Sequence, residues 1–190
     1  EWVLIESLMV QNSNAYAEIT NQYDEDLELD GLPRILDPTW YKDGRAKRGL
    51  IVAQLASKSF ENYRIAVEKE TEAYYEKIHN LDLQSDFYKG FLTGFDRSFL
   101  EYLDYEAQNL KLEKDILDSI TKMVLLLDRS EGDWYVENDQ FMFTSDDILE
   151  QFNSFVAQMY DLSAEQEQLM ESFQKARLEK LESVRDQSLK

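Results

Sequence analysis

The sequence predicts an all-α fold, an elongated antiparallel bundle of about four long helices with one short β-hairpin inserted at 134–143. Three observations carry that expectation. The chain of 190 residues holds only 2 prolines and 6 glycines, too few turn formers for an all-β or loop-rich fold. Apolar residues recur at spacings of three and four over long stretches, the period of one helix face. A hydrophobic share of 43% against 31% charged residues suits a single packed domain spanning 1–190.

Taken in order, Ile5, Leu8, Met9, Asn12, Tyr16, Ile19 and Tyr23 form one stripe and predict a first helix over 2–23. A connection follows from Asp24 to Gly44, with both prolines and the acidic run Asp24, Glu25, Asp26, Glu28 and Asp30. Leu32, Ile35, Leu36, Trp40 and Tyr41 predict that it folds back over the bundle, since long connections are seldom structureless. Val52, Ala56, Phe60, Tyr63, Val67, Thr71, Tyr74 and Ile78 mark the seam of a second helix, Arg45 to His79. The short link Asn80–Gln84 implies a helical hairpin, and Ser85 is placed to cap the next helix.

That third helix runs from Asp86 to Ser130, with Phe87, Phe91, Phe95 and Phe99 four apart, then Leu103, Leu110, Leu117 and Val124 seven apart. At about 1.5 Å per residue it would span roughly 68 Å, which predicts a break or kink. Gly90 and Gly94, one turn apart, predict a close approach of another helix backbone. Trp134–Glu137 and Gln140–Phe143 flank Asn138-Asp139, residues that tolerate the left-handed conformation of a two-residue turn. In that register Trp134 faces Phe143 and Val136 faces Phe141, all on one side of a ribbon that must dock to be stable. Thr144 or Ser145 should cap the last helix, Thr144 pairing with Asp147 as a capping box. Its seam is Ile148, Phe152, Phe155, Met159 and Leu162. A restart is expected at Ser163, carrying Leu169, Phe173, Ala176 and Leu181, and fraying from about Val184.

Charge excludes more than it assigns. A net charge of −19, from 20 basic and 39 acidic residues, repels nucleic-acid phosphates and anionic lipid surfaces. The one dense basic cluster, Arg45, Lys47 and Arg48, has the acidic run as its simplest partner. With no cysteine and a single histidine, thiolate chemistry and hydrolytic triads have no material. No P-loop or GxGxxG fingerprint is present, and no cofactor is expected.

Four features are candidates for a site. Asp26, Glu28, Asp30 and Asp37, with Gly31 between them, occupy positions 1, 3, 5 and 12 of a calcium-loop pattern, where carboxylates would hold a hard cation. Pro33 stands where an aliphatic belongs, and Pro38 blocks the helix that should follow, so the plainer reading is a solvated acidic loop. Glu76-x-x-His79 has the spacing of carboxylate-bridged metal bundles, but such sites need a second copy, and His79 reads better as a residue at a helix C-terminus. The 13% of aromatic residues could line a ligand pocket, though most fall on packing seams. Trp40, Tyr41, Trp134 and Tyr135, on the two non-helical pieces, are the candidate interaction surface.

The stretch Tyr135-Val136-Glu137-Asn138-Asp139-Gln140-Phe141-Met142-Phe143-Thr144-Ser145, then Phe152-Asn153 and Leu162-Ser163-Ala164-Glu165-Gln166, resembles the C-terminal part of an uncharacterised bacterial family of helical lipoproteins. In that family a ribbon with Asn-Gly at its turn leads into a helix bearing an aromatic-Asn pair. Here Asp139 replaces the turn glycine, and the likeness is confined to 134–175. The resemblance implies a cell-envelope protein, lipid-anchored through a cysteine upstream of Glu1, and implies no activity. The start at Glu1 without methionine reads as a processed or trimmed end, and Glu6 and Ser7 interrupt Trp2–Val10 too early for a signal core. The expected function is therefore a non-enzymatic, membrane-tethered envelope domain with an interaction or structural role and an unknown protein partner. A cytoplasmic adaptor or assembly module, or a small-molecule- or calcium-binding bundle, are the competing expectations.

Overall fold

A computed structural model describes residues 2–42, 46–83 and 85–188, with side chains to residue 180. The helices are α1 (Trp2–Asp30), the short α2 (Leu32–Ile35), α3 (Ala46–His79), α4 (Asp86–Arg129) and α5 (Asp146–Ser188). A 3₁₀ turn at Pro38–Tyr41 follows α2, and the ribbon of β1 (Trp134–Glu137) and β2 (Gln140–Phe143) precedes α5. This is the expected helical bundle with a hairpin insertion.

Facing side chains set the directions. Along α1 and α3, Tyr16 meets Thr71, Tyr23 stacks on Tyr63 at 4.5 Å, and Ser59 donates to Asp30 at 2.9 Å, so the two run antiparallel. His79 meets Asp96 at 2.7 Å while Gly49 sits against Val124, making α3 and α4 antiparallel. Tyr105 stacks on Phe173 at 4.1 Å and Lys180 pairs with Glu101, so α5 returns antiparallel along α4. Trp2 meets Phe87 and Tyr16 meets Tyr102, so α1 lies parallel to α4. Helix α4 thus serves as the central post, touched by all three other long helices.

The main core gathers at the end where the ribbon sits. Ala53, Ala56 and Phe60 of α3 and Leu117, Ile120, Met123, Val124 and Leu127 of α4 are buried there with Ile35 and Tyr41. The ribbon has the expected register, Trp134 opposite Phe143 and Val136 opposite Phe141. Asn138 and Asp139 take φ of 50° and 60° in its turn. Its inner face docks on the bundle, Phe141 packing on Tyr41 and Phe152, and the Trp134 indole donating to the Leu127 carbonyl at 2.7 Å. Toward the opposite end Ile5, Ile78 and Tyr88 are buried, the Tyr88 hydroxyl donating to the Ile78 carbonyl.

Several expectations are corrected. Helix α1 does not stop at Tyr23; it continues to Asp30 because nothing from Asp24 onward breaks it until Gly31, whose φ of 89° ends it. There the Gly31 amide donates back to the Leu27 and Glu28 carbonyls. The 24–44 connection is therefore partly helical. As expected it does fold back, with Ile35 and Tyr41 buried, while Asp43, Gly44 and Arg45 lie outside the described residues. Helix α4 is unbroken over 44 residues, with Ser85 as its cap, since partners pack along its whole length. Helix α5 is likewise continuous: the Ser163 hydroxyl donates to the Met159 carbonyl inside the helix and starts nothing. It remains helical to Ser188, past the fraying expected from Val184; the Leu181 side chain lies outside the described ones. Thr144 donates its hydroxyl to the Asp133 carbonyl at 3.0 Å, closing the ribbon instead of capping α5. Around Gly90 and Gly94 the described residues leave open space, so no backbone approaches there. The close approach is at Gly49 instead.

Candidate binding groove

The α3–α4 hairpin has two sides, and they differ in kind. On the inner side, where α1 and α5 pack, a polar belt crosses the bundle. Tyr16 bonds Thr71, and Tyr102 bonds both Tyr16 and Glu106. Tyr23 donates to Glu113 at 2.7 Å, and the Gln166 amide donates to Glu113 and Asn109 at 3.1 Å each. Four helices are tied together through these groups. Burial raises the hydroxyl pKa of Tyr16, Tyr23 and Tyr102, the nearby Glu113 and Glu106 adding to the effect at Tyr23 and Tyr102, and pushes Tyr63 up to about 12. These tyrosines stay protonated and act as donors. The belt was not anticipated, although its signal was present. Tyr102, Glu106, Asn109 and Glu113 recur at 4, 3 and 4, polar residues on a helix face that packs inward.

On the outer side no described residue of another element covers the hairpin. Helix geometry explains why: at about 100° per residue, a stripe spaced by four drifts about 40° at each step. The Phe87, Phe91, Phe95, Phe99 ladder therefore swings from Trp2 of α1 at one end to Tyr75 of α3 at the other. Beyond it, Leu100 and Leu103 point away from α1 and α5, at 66% and 37% exposure. With Val67, Tyr75, Phe99 and Leu110 they line a groove of about 790 Å³ between α3 and α4. Its acidic lining residues are Glu68, Glu72, Asp96 and Glu106, of which Glu68 pairs with Arg64 and Asp96 with His79; among the described residues no lysine or arginine lines it. Glu106 belongs to both sides, at the groove wall and bonded to Tyr102. Desolvation holds its carboxyl above the usual range, and the Tyr102 hydrogen bond offsets part of that rise.

The other candidate residues are dispersed. Asp26, Glu28 and Asp30 lie on the last turns of α1, where positions two apart point about 200° apart, so Glu28 faces away from its two neighbours. Asp30 accepts from Ser59, and Asp37 caps the 3₁₀ turn by accepting from the Thr39 amide and hydroxyl, both at 2.8 Å, which lowers its carboxyl pKa. Among the described residues no three acidic or histidine side chains come together as a metal set. His79 does end α3, and its ring meets Asp96 and Tyr75. Lys47 and Arg48 are exposed and form no ion pair with the acidic run among the described residues, and Arg45 lies outside them. Of the proposed surface aromatics, Tyr41 is core at 2% exposure, its hydroxyl donating to the Ile35 carbonyl. Trp40 and Trp134 are half-buried in the same cluster; only Tyr135 is exposed.

Set against known families, curated proteins and solved structures, the chain matches no family model, no curated protein and no solved fold. Among the described residues no helix is long and apolar enough to cross a membrane.

Proposed function

We propose that this chain is a non-enzymatic domain of the bacterial cell envelope, tethered to a membrane by a lipidated cysteine upstream of Glu1, and that it works by presenting a helical surface to a protein partner. The interaction role rests on one observation, the uncovered apolar groove along the outer side of α3 and α4. Apolar surface gathered in a trough is stabilised by burial, and here the chain's own helices leave it open. The envelope role rests on the resemblance of the 134–175 stretch to helical lipoproteins. The first turns of α1 add support: Trp2, Val3, Leu4 and Val10 are exposed, an apolar end suited to lie near the bilayer to which an upstream anchor would hold it.

The test is to express the gene with its own upstream codons in a bacterium and label it metabolically with an alkyne fatty acid. The expected result is a labelled protein in the membrane fraction, losing both label and location when the upstream cysteine becomes serine. A start methionine directly before Glu1, with unlabelled protein in the soluble fraction, removes the envelope role and leaves the groove to a cytoplasmic adaptor.

A further inference from the structure

We propose that the groove between α3 and α4 receives a basic amphipathic helix of the partner protein, its apolar ridge on the groove floor and its lysine or arginine side chains paired with Glu72 and Glu106. This specifies the partner's chemistry for the interaction role proposed above, and rests on it.

Shape comes first. The lining residues of α4 run from Asp96 to Leu110, about 21 Å of helix axis, the length of about 14 residues in a partner helix. Two antiparallel helices form the walls, and the same pair already accepts α1 on its inner side through Tyr16, Tyr102 and Thr71. A helix is thus the occupant this hairpin is built to hold. The floor offers Tyr75, Phe99, Leu100 and Leu103, with half-buried Leu110 at one end and buried Val67 beneath, to residues spaced three and four apart, the helix-in-groove mode of recognition.

Charge then selects among helices. The charged groups lining the groove are all carboxylates; Arg64 already pairs with Glu68 and His79 meets Asp96, which leaves Glu72 and Glu106 without a cation among the described residues, and the whole chain carries −19. A second copy would bring the same −19 to the contact and be repelled, as would an anionic lipid surface. Glu106 sharpens the choice. Its carboxylate is partly withdrawn from water, it accepts a hydrogen bond from neutral Tyr102, and no cation among the lining residues faces it. An ammonium or guanidinium entering the groove would be its counter-ion.

A fluorescein-labelled peptide of about 14 residues, leucine at i, i+3, i+4 and i+7 with lysine between, tests the idea by anisotropy against the whole chain. We expect saturable one-to-one binding that weakens as salt rises. Leu100→Ser with Leu103→Ser should weaken it about tenfold or more. Both side chains are exposed, so the fold, checked by circular dichroism, should survive. Glu72→Gln with Glu106→Gln should weaken binding about tenfold and flatten the salt dependence. Removing the same charge from α5, by Glu167→Gln and Glu171→Gln, should leave affinity within about twofold. The proposal is overturned if the α5 variant weakens binding as much as the groove variant, if groove variants bind like the parent, or if a glutamate-for-lysine peptide binds equally well. A photo-crosslinking residue in place of Leu103, used in cells, separates this from the broader reading. Crosslinking to a protein surface without a basic helix overturns the inference and keeps the interaction role; no crosslink and no peptide binding remove both.

Discussion

Gly49 shows how much one side chain, or its absence, can decide. A Cβ there would stand 2.7 Å from a methyl of Val124 and 3.1 Å from the Tyr41 hydroxyl. Val124 is fully buried, and Tyr41 is held by its bond to the Ile35 carbonyl at 2.9 Å, so neither neighbour yields cheaply. Gly49→Ala is expected to destabilise the protein by about 1–3 kcal/mol, read as a lower denaturant midpoint with unchanged slope. The row Ala46, Gly49, Ala53 and Ala56 was legible in the sequence as small residues spaced 3, 4 and 3. Of that row only Ala56 stands in the expected seam, which runs instead through Val52, a bulkier residue that is half-buried. Small side chains mark close helix contact more faithfully than large ones, because they let the backbones approach.

Among the elements, α4 carries a complementary prediction. Gly90 and Gly94 are exposed on the helix, with open space around each among the described residues, so their only effect is to loosen the unfolded and helical backbone. Gly90→Ala and Gly94→Ala should each stabilise the chain by about 0.5–1 kcal/mol, measurable as additive rises in the urea midpoint. If either change destabilises, a contact to that face of α4 must exist. The ribbon is the element most fully legible in the sequence. Its alternation of apolar and polar residues has a period of two, and Asn138-Asp139 supplies the left-handed turn; both signals are local. Helix α1 outruns its expected end at Tyr23 because the carboxylate run that follows resembles a loop only in composition, whereas glutamate and leucine propagate a helix well until Gly31 ends it.

For the molecule as a whole, the polar belt and groove meet at Glu106, and that has a consequence in pH. The folded-state pKa of Glu106 is raised, mainly by desolvation, so the folded protein binds this proton more tightly than the unfolded chain does. Its destabilising effect is full above the folded pKa and is relieved as pH falls through that value. Asp37 and Glu61 act oppositely. Their carboxyls are lowered by hydrogen bonds from Thr39 and Arg64, and what they contribute is lost as pH falls through their folded values. Glu106→Gln should therefore raise the melting temperature at neutral pH. A relief of about 1 kcal/mol would read as about 2–4 °C. The gap from the parent should close as pH falls through the folded pKa of Glu106; a constant gap would mean that desolvation of its charge is not the cause.

Helix class, approximate lengths, and the ribbon with its register were determined by the sequence alone, since periodicity and turn chemistry are properties of short segments. The tertiary structure decided which faces remain uncovered. The first residues of α4 turn toward α1, its middle toward α3 and α5, and Leu100 and Leu103 are left outside with Glu106 at the boundary. That outcome depends on how helices of 29, 34, 44 and 43 residues stack against one another. The angle around a helix at which a neighbour lies is set by packing between segments distant in sequence, and no single stripe encodes it.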